Sequence, residues 1–526
     1  MSDAVASPET HGAATPGARA VPLEGAELAV LTFAVAFATF MEVLDTTIVN
    51  VAIPTIAGNV GVSANQGTWV ISSYGVSSAI AVPLTGWIAR RFGEVRTFVA
   101  SVVLFTVMSM LCGFASSLPM LVFFRVMQGL VSGPMVPLSQ TLLLSNYPPE
   151  RKGTALALWA MTVIVAPIFG PLLGGFITDN FSWPWIFYIN APIGLAAAGL
   201  SWMLLRDRES TRVREPIDAV GLVLLIVGVG TLQLMLDNGN DLDWFGSPFI
   251  VSLAVTAVVC LSFLVAWELT DDHPVIDLSL FRTRNFRFGV LALALGIFGF
   301  FGSTVIFPLW LQTVMGYTAT WAGLATAPVG ILALIISPIV GRNIARLELR
   351  IVTSISFIIF GITALWYASF TLEARFGQLV VPRLIQGAAI ACFFVPINQI
   401  ILSGLPPTRL AAASGLSNFF RTISGSFATA ICVTLWQHRA IYHHSVLAEQ
   451  VTAFNPNTAS YLADLQARGL PPDAALAQVE QTLNQQAYML ATNDVFWLIG
   501  MLFFGLIAVI WLTRPPFGSV GPAAGH

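Results

Sequence analysis

Apolar runs of roughly 20 residues, separated by short polar stretches, recur from one end of the chain to the other. At about 1.5 Å of rise per residue, each is long enough to cross the ~30 Å hydrocarbon core of a bilayer as a helix. The pattern predicts spans near 27–51, 65–88, 97–115, 118–141, 153–178, 184–205 and 217–236. Further spans follow near 247–268, 286–314, 321–341, 350–370, 376–403, 410–437 and 491–513. One polar interruption is long: 438–490, which carries Gln, Asn and Pro, and whose stretch 473–490 has the pattern of an amphipathic helix capping an outer face.

Composition moves the whole chain into lipid. Of 526 residues 56% are hydrophobic and 10% charged, too few polar groups to coat a soluble core of that size. The loops then test the span count. With the N-terminus inside, Arg90, Arg91, Arg96, Arg151, Lys152, Arg206, Arg208, Arg282, Arg342, Arg346, Arg409 and Arg514 all fall on the inner side. Outer loops keep only Arg375, Arg439 and Arg468, and the loop around Asp237, Asp241 and Asp243 is acidic. This positive-inside asymmetry predicts an even number of spans with both termini cytoplasmic. A net charge of −3 gives no reason to expect a nucleic-acid partner. Cys112, Cys260, Cys392 and Cys432 sit in apolar runs and read as small core residues, so neither a disulfide framework nor a metal site is expected.

An internal repeat decides the architecture. Arg125–Gly129 (RVMQG) reappears 258 residues later as Arg383–Gly387 (RLIQG), and Ser145–Arg151 (SNYPPER) reappears as Ser403–Arg409 (SGLPPTR). Both copies run in the same direction across an even number of spans, which predicts two parallel-repeat six-helix bundles. The expected arrangement is all-α: a tail at 1–26, a first bundle at 27–205, linkers with two inserted helices at 206–285, a second bundle at 286–513 and a tail at 514–526.

Charged residues inside apolar runs are the candidates for chemistry, because ionisable groups in a membrane are costly and usually face a cavity or the bundle interior. Glu42 and Asp45 lie three apart on one face of the first span. Burial and the neighbouring like charge both penalise the ionised pair, so such carboxyls can take up a proton on one side and release it on the other. The plainer alternative is a carboxylate that only anchors a hydrogen-bond network. Arg125, in mid-span, is the expected counter-charge, since an unpaired guanidinium there is unfavourable; a purely structural arginine is its alternative. Arg383, its repeat mate, has no clear acid on the ninth span and is expected to be structural, and Arg421 is expected to anchor a loop.

Gly170, Gly174 and Gly175 with Pro167 and Pro171 form a small-residue, kinked face on the fifth span, suited to close helix packing that seals against proton leak. Trp69, Tyr74, Trp159 and Phe300, with the polar Gln128, Arg383 and Asn398, are candidates to line an apolar substrate cavity, although most aromatics pack against helices or lie at the lipid interface. There is no phosphate-binding GxxxxGK[ST], and Lys152 is the only lysine, which argues against direct ATP drive. No nucleophile–base constellation or metal motif points to an enzyme, and no cofactor is expected.

Longer motifs add a resemblance that spans essentially the whole chain. Leu44–Pro54 (LDTTIVNVAIP), Gly170–Gly175 (GPLLGG) and Trp183–Gly194 (WPWIFYINAPIG) resemble the first-, fifth- and sixth-helix motifs of the major facilitator superfamily, specifically its fourteen-span drug:proton antiporters. The resemblance implies proton-driven export of hydrophobic, often weakly acidic drugs across a bacterial inner membrane. It also links Arg125 to proton coupling, and implies work with a periplasmic adaptor and an outer-membrane channel. One departure stands out. The family's loop between helices 2 and 3 has the form G-x-L-A-D-R-x-G-R, whereas Gly86–Glu94 reads GWIARRFGE, with Arg90 beside Arg91 and Gly93 and no acid at the usual gate position. A carrier for one dedicated metabolite or siderophore, or a membrane scaffold that recruits partners without moving solute, remain the alternatives.

Overall fold

The computed structural model describes residues 23–148, 151–210, 212, 218–271, 276–344, 346–406, 409–452 and 454–517. Most of both expected tails, and the second halves of the repeated Pro-Pro turns at 149–150 and 407–408, lie outside them. Every regular element among the described residues is a helix. The first six are α1 (Gly25–Val60), α2 in three pieces (Ala64–Gly67, Trp69–Ala81, Thr85–Phe92), α3 (Glu94–Gly113), α4 (Leu118–Ser132 and Met135–Asn146), α5 (Lys152–Asn180) and α6 (Trp185–Tyr188 and Asn190–Leu205). Next come α7 (Ala219–Asn238) and α8 (Pro248–Glu268). The last group is α9 (Arg284–Thr313), α10 (Ala319–Thr326 and Val329–Asn343), α11 (Leu349–Tyr367), α12 (Phe376–Leu402), α13 (Leu410–Ala448), the short α14 (Pro456–Ala467) and α15 (Pro472–Trp511).

Twelve of these helices are long and apolar enough to cross a membrane. The other two expected spans are helical as well: α5, which carries Pro167 and Pro171 inside one continuous helix, and α2, whose ladder breaks around Pro83. The halves pack alike. α1 lies on α5 as α9 lies on α13, α2 on α4 as α10 on α12, and α3 on α6 as α11 on α15. The repeat extends to atomic detail. An added Cβ at Gly129 would sit 2.5 Å from the Tyr74 carbonyl oxygen, and at Gly387 it would collide with the Val329 carbonyl. Both glycines are therefore required by backbone approach, at the same place in each half.

The halves meet along α1·α9, α2·α13 and α5·α10. The joining hydrogen bonds gather toward the C-terminal ends of α1, α5 and α9, where Gln312 donates to the Val51 carbonyl (3.0 Å) and Asp179 accepts from the Thr320 amide (2.7 Å). α7 lies over the α2·α13 seam, with α8 outside it. Only 28% and 22% of their apolar windows are buried, against 61% for α1 and α9, so the inserted pair faces lipid.

The segment 438–490 differs from the separate amphipathic cap that its pattern predicts. α13 continues unbroken to Ala448, and 472–490 is the first half of α15, in one helix with the last span. Side chains lash the two extensions together: Arg439 and His443 both reach Asp494 (2.6 and 2.7 Å), and His444 reaches Glu480 (2.9 Å).

Candidate proton-coupling site

The site is assembled where α1, α2, α4 and α6 converge. Asp45 is fully buried on α1, and its carboxylate collects three donors. Arg125 Nη1 lies 2.5 Å from Oδ2, Asn190 Nδ2 lies 2.9 Å from Oδ1, and Gln128 Nε2 lies 3.3 Å from Oδ1. Arg125, 1% exposed on α4, also donates from Nε to the Val70 carbonyl of α2 (3.0 Å) and from Nη1 to Gln128 Oε1 (2.8 Å). Its guanidinium stacks 4.3 Å from the centroid of the Tyr74 ring and 5.6 Å from that of Phe187. Asn190 is oriented by Ser109 of α3, 2.9 Å from the same amide nitrogen. Taking two charges out of water costs several kcal/mol each, and only this density of partners offsets that cost. Removing the charge from either member alone would leave the other stranded.

Glu42 sits one turn before Asp45 and is 8% exposed, with no hydrogen-bond partner for Oε2. The basic group acting on it is Arg421 of α13, from the other half. Arg421 is thus not in a loop: it lies inside α13, within electrostatic reach of Glu42 across the interface between the halves.

Arg383 occupies the matching place in the second half, and among the described residues no carboxylate pairs with it. It donates to Gln386 Oε1 (2.6 Å) and the Ser303 carbonyl (3.1 Å), stacks 4.3 Å from the centroid of Phe307, and leaves Nε without a partner.

α5 packs on both halves at once. Gly170 faces Thr47 and Gly174 faces Ile48, both on α1, and an added Cβ at Gly174 would lie 2.5 Å from the Ile48 carbonyl. Gly175 faces the Ala319 backbone of α10, and Gly323 of α10 returns the contact against Pro171. Two adjacent glycines therefore serve opposite partners, a distinction that helical spacing alone does not make.

In the loop between α2 and α3, Gly93 has φ +100°, and an added side chain would strike the Glu209 carboxylate. Glu209, from the segment after α6, accepts from the amides of Val95 (3.0 Å) and Arg96 (3.1 Å) and so caps α3. An acid from outside the motif, Glu209, is thus present at this turn. Arg90 and Arg91 occupy the last turn of the preceding helical piece, where cations suit the helix dipole; Gly86 faces Arg90.

The cavity candidates divide. Tyr74, Gln128 and Arg383 are buried inside their own halves and belong to the arginine networks. Trp69 donates to the Asp237 carbonyl of α7 (3.1 Å) and Trp159 to Ser139 (2.9 Å). Phe300 packs against Phe301 and Phe360, and Asn398 is exposed with its amide turned back to the Phe394 carbonyl. Asn190, Ser109 and Glu209 were not legible as partners, because a neutral amide, a hydroxyl and a loop acid carry no signal of what they will face.

The comparisons with known proteins agree with this geometry. Residues 35–429 match the sequence model of the Major Facilitator Superfamily. The chain belongs to that family. As a member of the superfamily it is a multi-pass membrane transporter rather than an enzyme. The Multidrug export protein EmrB of Escherichia coli (strain K12) is 52% identical over 505 residues, covering 96% of this chain and 99% of that protein. The Fatty acid resistance protein FarB of Neisseria gonorrhoeae is 46% identical over 505 residues, with the same shares covered. The solved structure of a D-xylose–proton symporter covers 94% of this chain and 99% of its own, with a TM-score of 0.61 at 15% identity, a likeness of fold alone.

Proposed function

We propose that this superfamily member is a proton-driven exporter of hydrophobic, often weakly acidic compounds, working by alternating access between its two halves. The observation that carries the reading is the buried Asp45–Arg125 pair (2.5 Å), shared by four helices of one half, in a chain half-identical to a multidrug exporter. A proton on Asp45 cancels the charge that Arg125 balances. Arg125 then keeps Gln128 and the Val70 carbonyl but loses its counter-ion, so α1, α2, α4 and α6 are held differently in the two protonation states. A difference of that kind is what lets a proton shift a conformational equilibrium. The glycine face of α5 supports the reading, because a tight contact between halves limits proton leak. Glu42 is the second candidate for a proton-carrying group.

The direct test uses purified protein in sealed proteoliposomes with an imposed proton gradient. Gradient-dependent movement of hydrophobic weak acids, lost in Asp45→Asn, is the expected result; movement that survives both collapse of the gradient and the substitution would refute the assignment. The fatty acid resistance for which FarB is named favours a second, narrower reading in which amphiphilic acids such as fatty acids are the main cargo. A substrate panel in a drug-sensitive host separates a broad exporter from a dedicated one.

We further propose the bacterial inner membrane as the location, fourteen spans, and both termini cytoplasmic, on the distribution of arginines. The helical head formed by the ends of α13 and α15 with α14 is then periplasmic. It is the surface proposed to dock a periplasmic adaptor (EmrA-like), with an outer-membrane channel (TolC-like) beyond. Substituting exposed Phe454 and Tyr461 with polar residues should abolish copurification with the adaptor; unchanged copurification would exclude this head.

A further inference from the structure

The two inserted helices look peripheral, yet the last turn of α7 is built into the joint between the halves. Asp237 Oδ2 accepts from the Ser72 hydroxyl of α2 (2.9 Å), Oδ1 accepts from Gln233 (2.8 Å), and its backbone carbonyl accepts from Trp69 (3.1 Å). Ser426 of α13 lies 2.6 Å from the Ser72 carbonyl and 3.5 Å from Gln233 Oε1. The approach is close: an added Cβ at Gly75 would sit 3.1 Å from the Ser426 Cβ. A second layer repeats the pattern, with Gln66 of α2 bonded to Asp241 (2.8 Å) and Asn240 bonded to Gln437 of α13 (2.5 Å). Between the layers lies a cavity of about 10 Å³, room for one water.

These bonds are unlike the rest of α7, which is largely lipid-facing. They tie one inserted helix to α2 of the first half and α13 of the second, at the end where the halves are joined. We propose that α7 is a clasp on the outer gate and that Asp237 is its proton-responsive residue, a positioning residue for the transport cycle. While ionised, the carboxylate accepts charge-assisted hydrogen bonds from Ser72 and Gln233, and the clasp holds α2 against α13. A proton on Asp237 removes an acceptor and weakens those bonds, so α2 and α13 can part. Among the described residues no cation faces Asp237 to oppose this. From α7 and the turn after it come Asp241, bonded to Gln66, and Asp243. From α13 come His438, 3.4 Å from Trp244, and Arg439, paired with Asp494; the α2 residues at the clasp are neutral. An acidic exterior would thus favour the outward-open state, in which the main coupling site can load.

The inference rests on the alternating-access reading, and the test separates the two. Spin labels at Asn59 on α1 and Thr313 on α9, in full-length protein in nanodiscs, report the outer separation by pulsed dipolar spectroscopy at about pH 8 and about pH 5.5. The wild type should show mainly the short distance at the higher pH and a growing long-distance population at the lower. Asp237→Asn should raise that population about fivefold at the higher pH, with Ser72→Ala moving it in the same direction. Ser72→Ala also serves should Asp237→Asn fold poorly. A wild type that switches, with both variants matching it at both pH values, overturns the clasp and leaves alternating access standing. A single distance in the wild type at both pH values removes the alternating-access gate on which the clasp depends.

Discussion

Two arginines, 258 residues apart, occupy equivalent places in the two halves and meet different fates. Arg125 and Arg383 are each 1% exposed, each bonded to a glutamine one turn on, and each stacked 4.3 Å from the centroid of an aromatic ring. The same spacing carries Asp45 onto Ser303 and Ser109 onto Tyr367. In the first half the guanidinium therefore meets a carboxylate; in the second the Ser303 carbonyl stands in its place, and Nε goes unpartnered. One fold thus holds a fixed charge on one side and a charge balanced by a titratable acid on the other. Duplication supplies the scaffold, and on the proposed mechanism Asp45 is what makes one copy responsive to protons.

The widest gap between the two sites should appear in transport. Asp45→Asn keeps the shape and removes the charge, and should lower gradient-driven export at least ~100-fold, about 2.7 kcal/mol of lost drive. Arg383→Gln should lower it far less and keep its dependence on the gradient; equal losses would erase the distinction. Stability comes next. Asp45→Ala strands Arg125 and should destabilise the protein by about 3–5 kcal/mol in denaturant unfolding, with Asp45→Ala/Arg125→Leu recovering most of it. Arg383→Leu removes a guanidinium that has no counter-ion and should cost less than Asp45→Ala. Supplying the missing acid sharpens the point. Ser303→Asp should raise the unfolding free energy modestly, by about 1 kcal/mol, while export continues to depend on Asp45.

The smallest effect belongs to a third arginine, outside the bundle. Arg409 pairs with Asp277 at 2.6 Å near the surface. Partial burial pushes the Asp277 carboxyl up, but hydrogen bonds from Ser279 and Arg409 with the arginine's charge outweigh it and hold it below the usual value of 3.8. A lowered carboxyl contributes stability above its unfolded value that is lost as pH falls through its folded value. Asp277→Asn should therefore cost under about 1 kcal/mol at neutral pH, and the difference from wild type should vanish well below pH ~4 in thermal unfolding.

What was legible in the sequence was whatever stood out against lipid. Glu42, Asp45 and Arg125 are charges in apolar runs, and the repeat pairs Arg383 with Arg125 from the sequence alone. Asn190 was visible inside a motif but not as a ligand of Asp45, because a neutral amide is compatible with many neighbours. Asp237 and Arg421 were read as loop features since they lie toward helix ends; only the packing of α7 and α13 across the halves turns them inward. The 438–490 segment misled by composition. Polar residues there mark helices that have left the membrane, and these continue α13 and α15 because long helices propagate cheaply once nucleated.

The central claim is that Asp45, held by Arg125, couples protons to transport. Its most direct test is drug-evoked proton release from energised everted vesicles, compared between wild type and Asp45→Asn. The account predicts release in the wild type and none in the variant at equal protein content. Equal release from both would contradict it and move the coupling carboxyl elsewhere, with Glu42 the next to test.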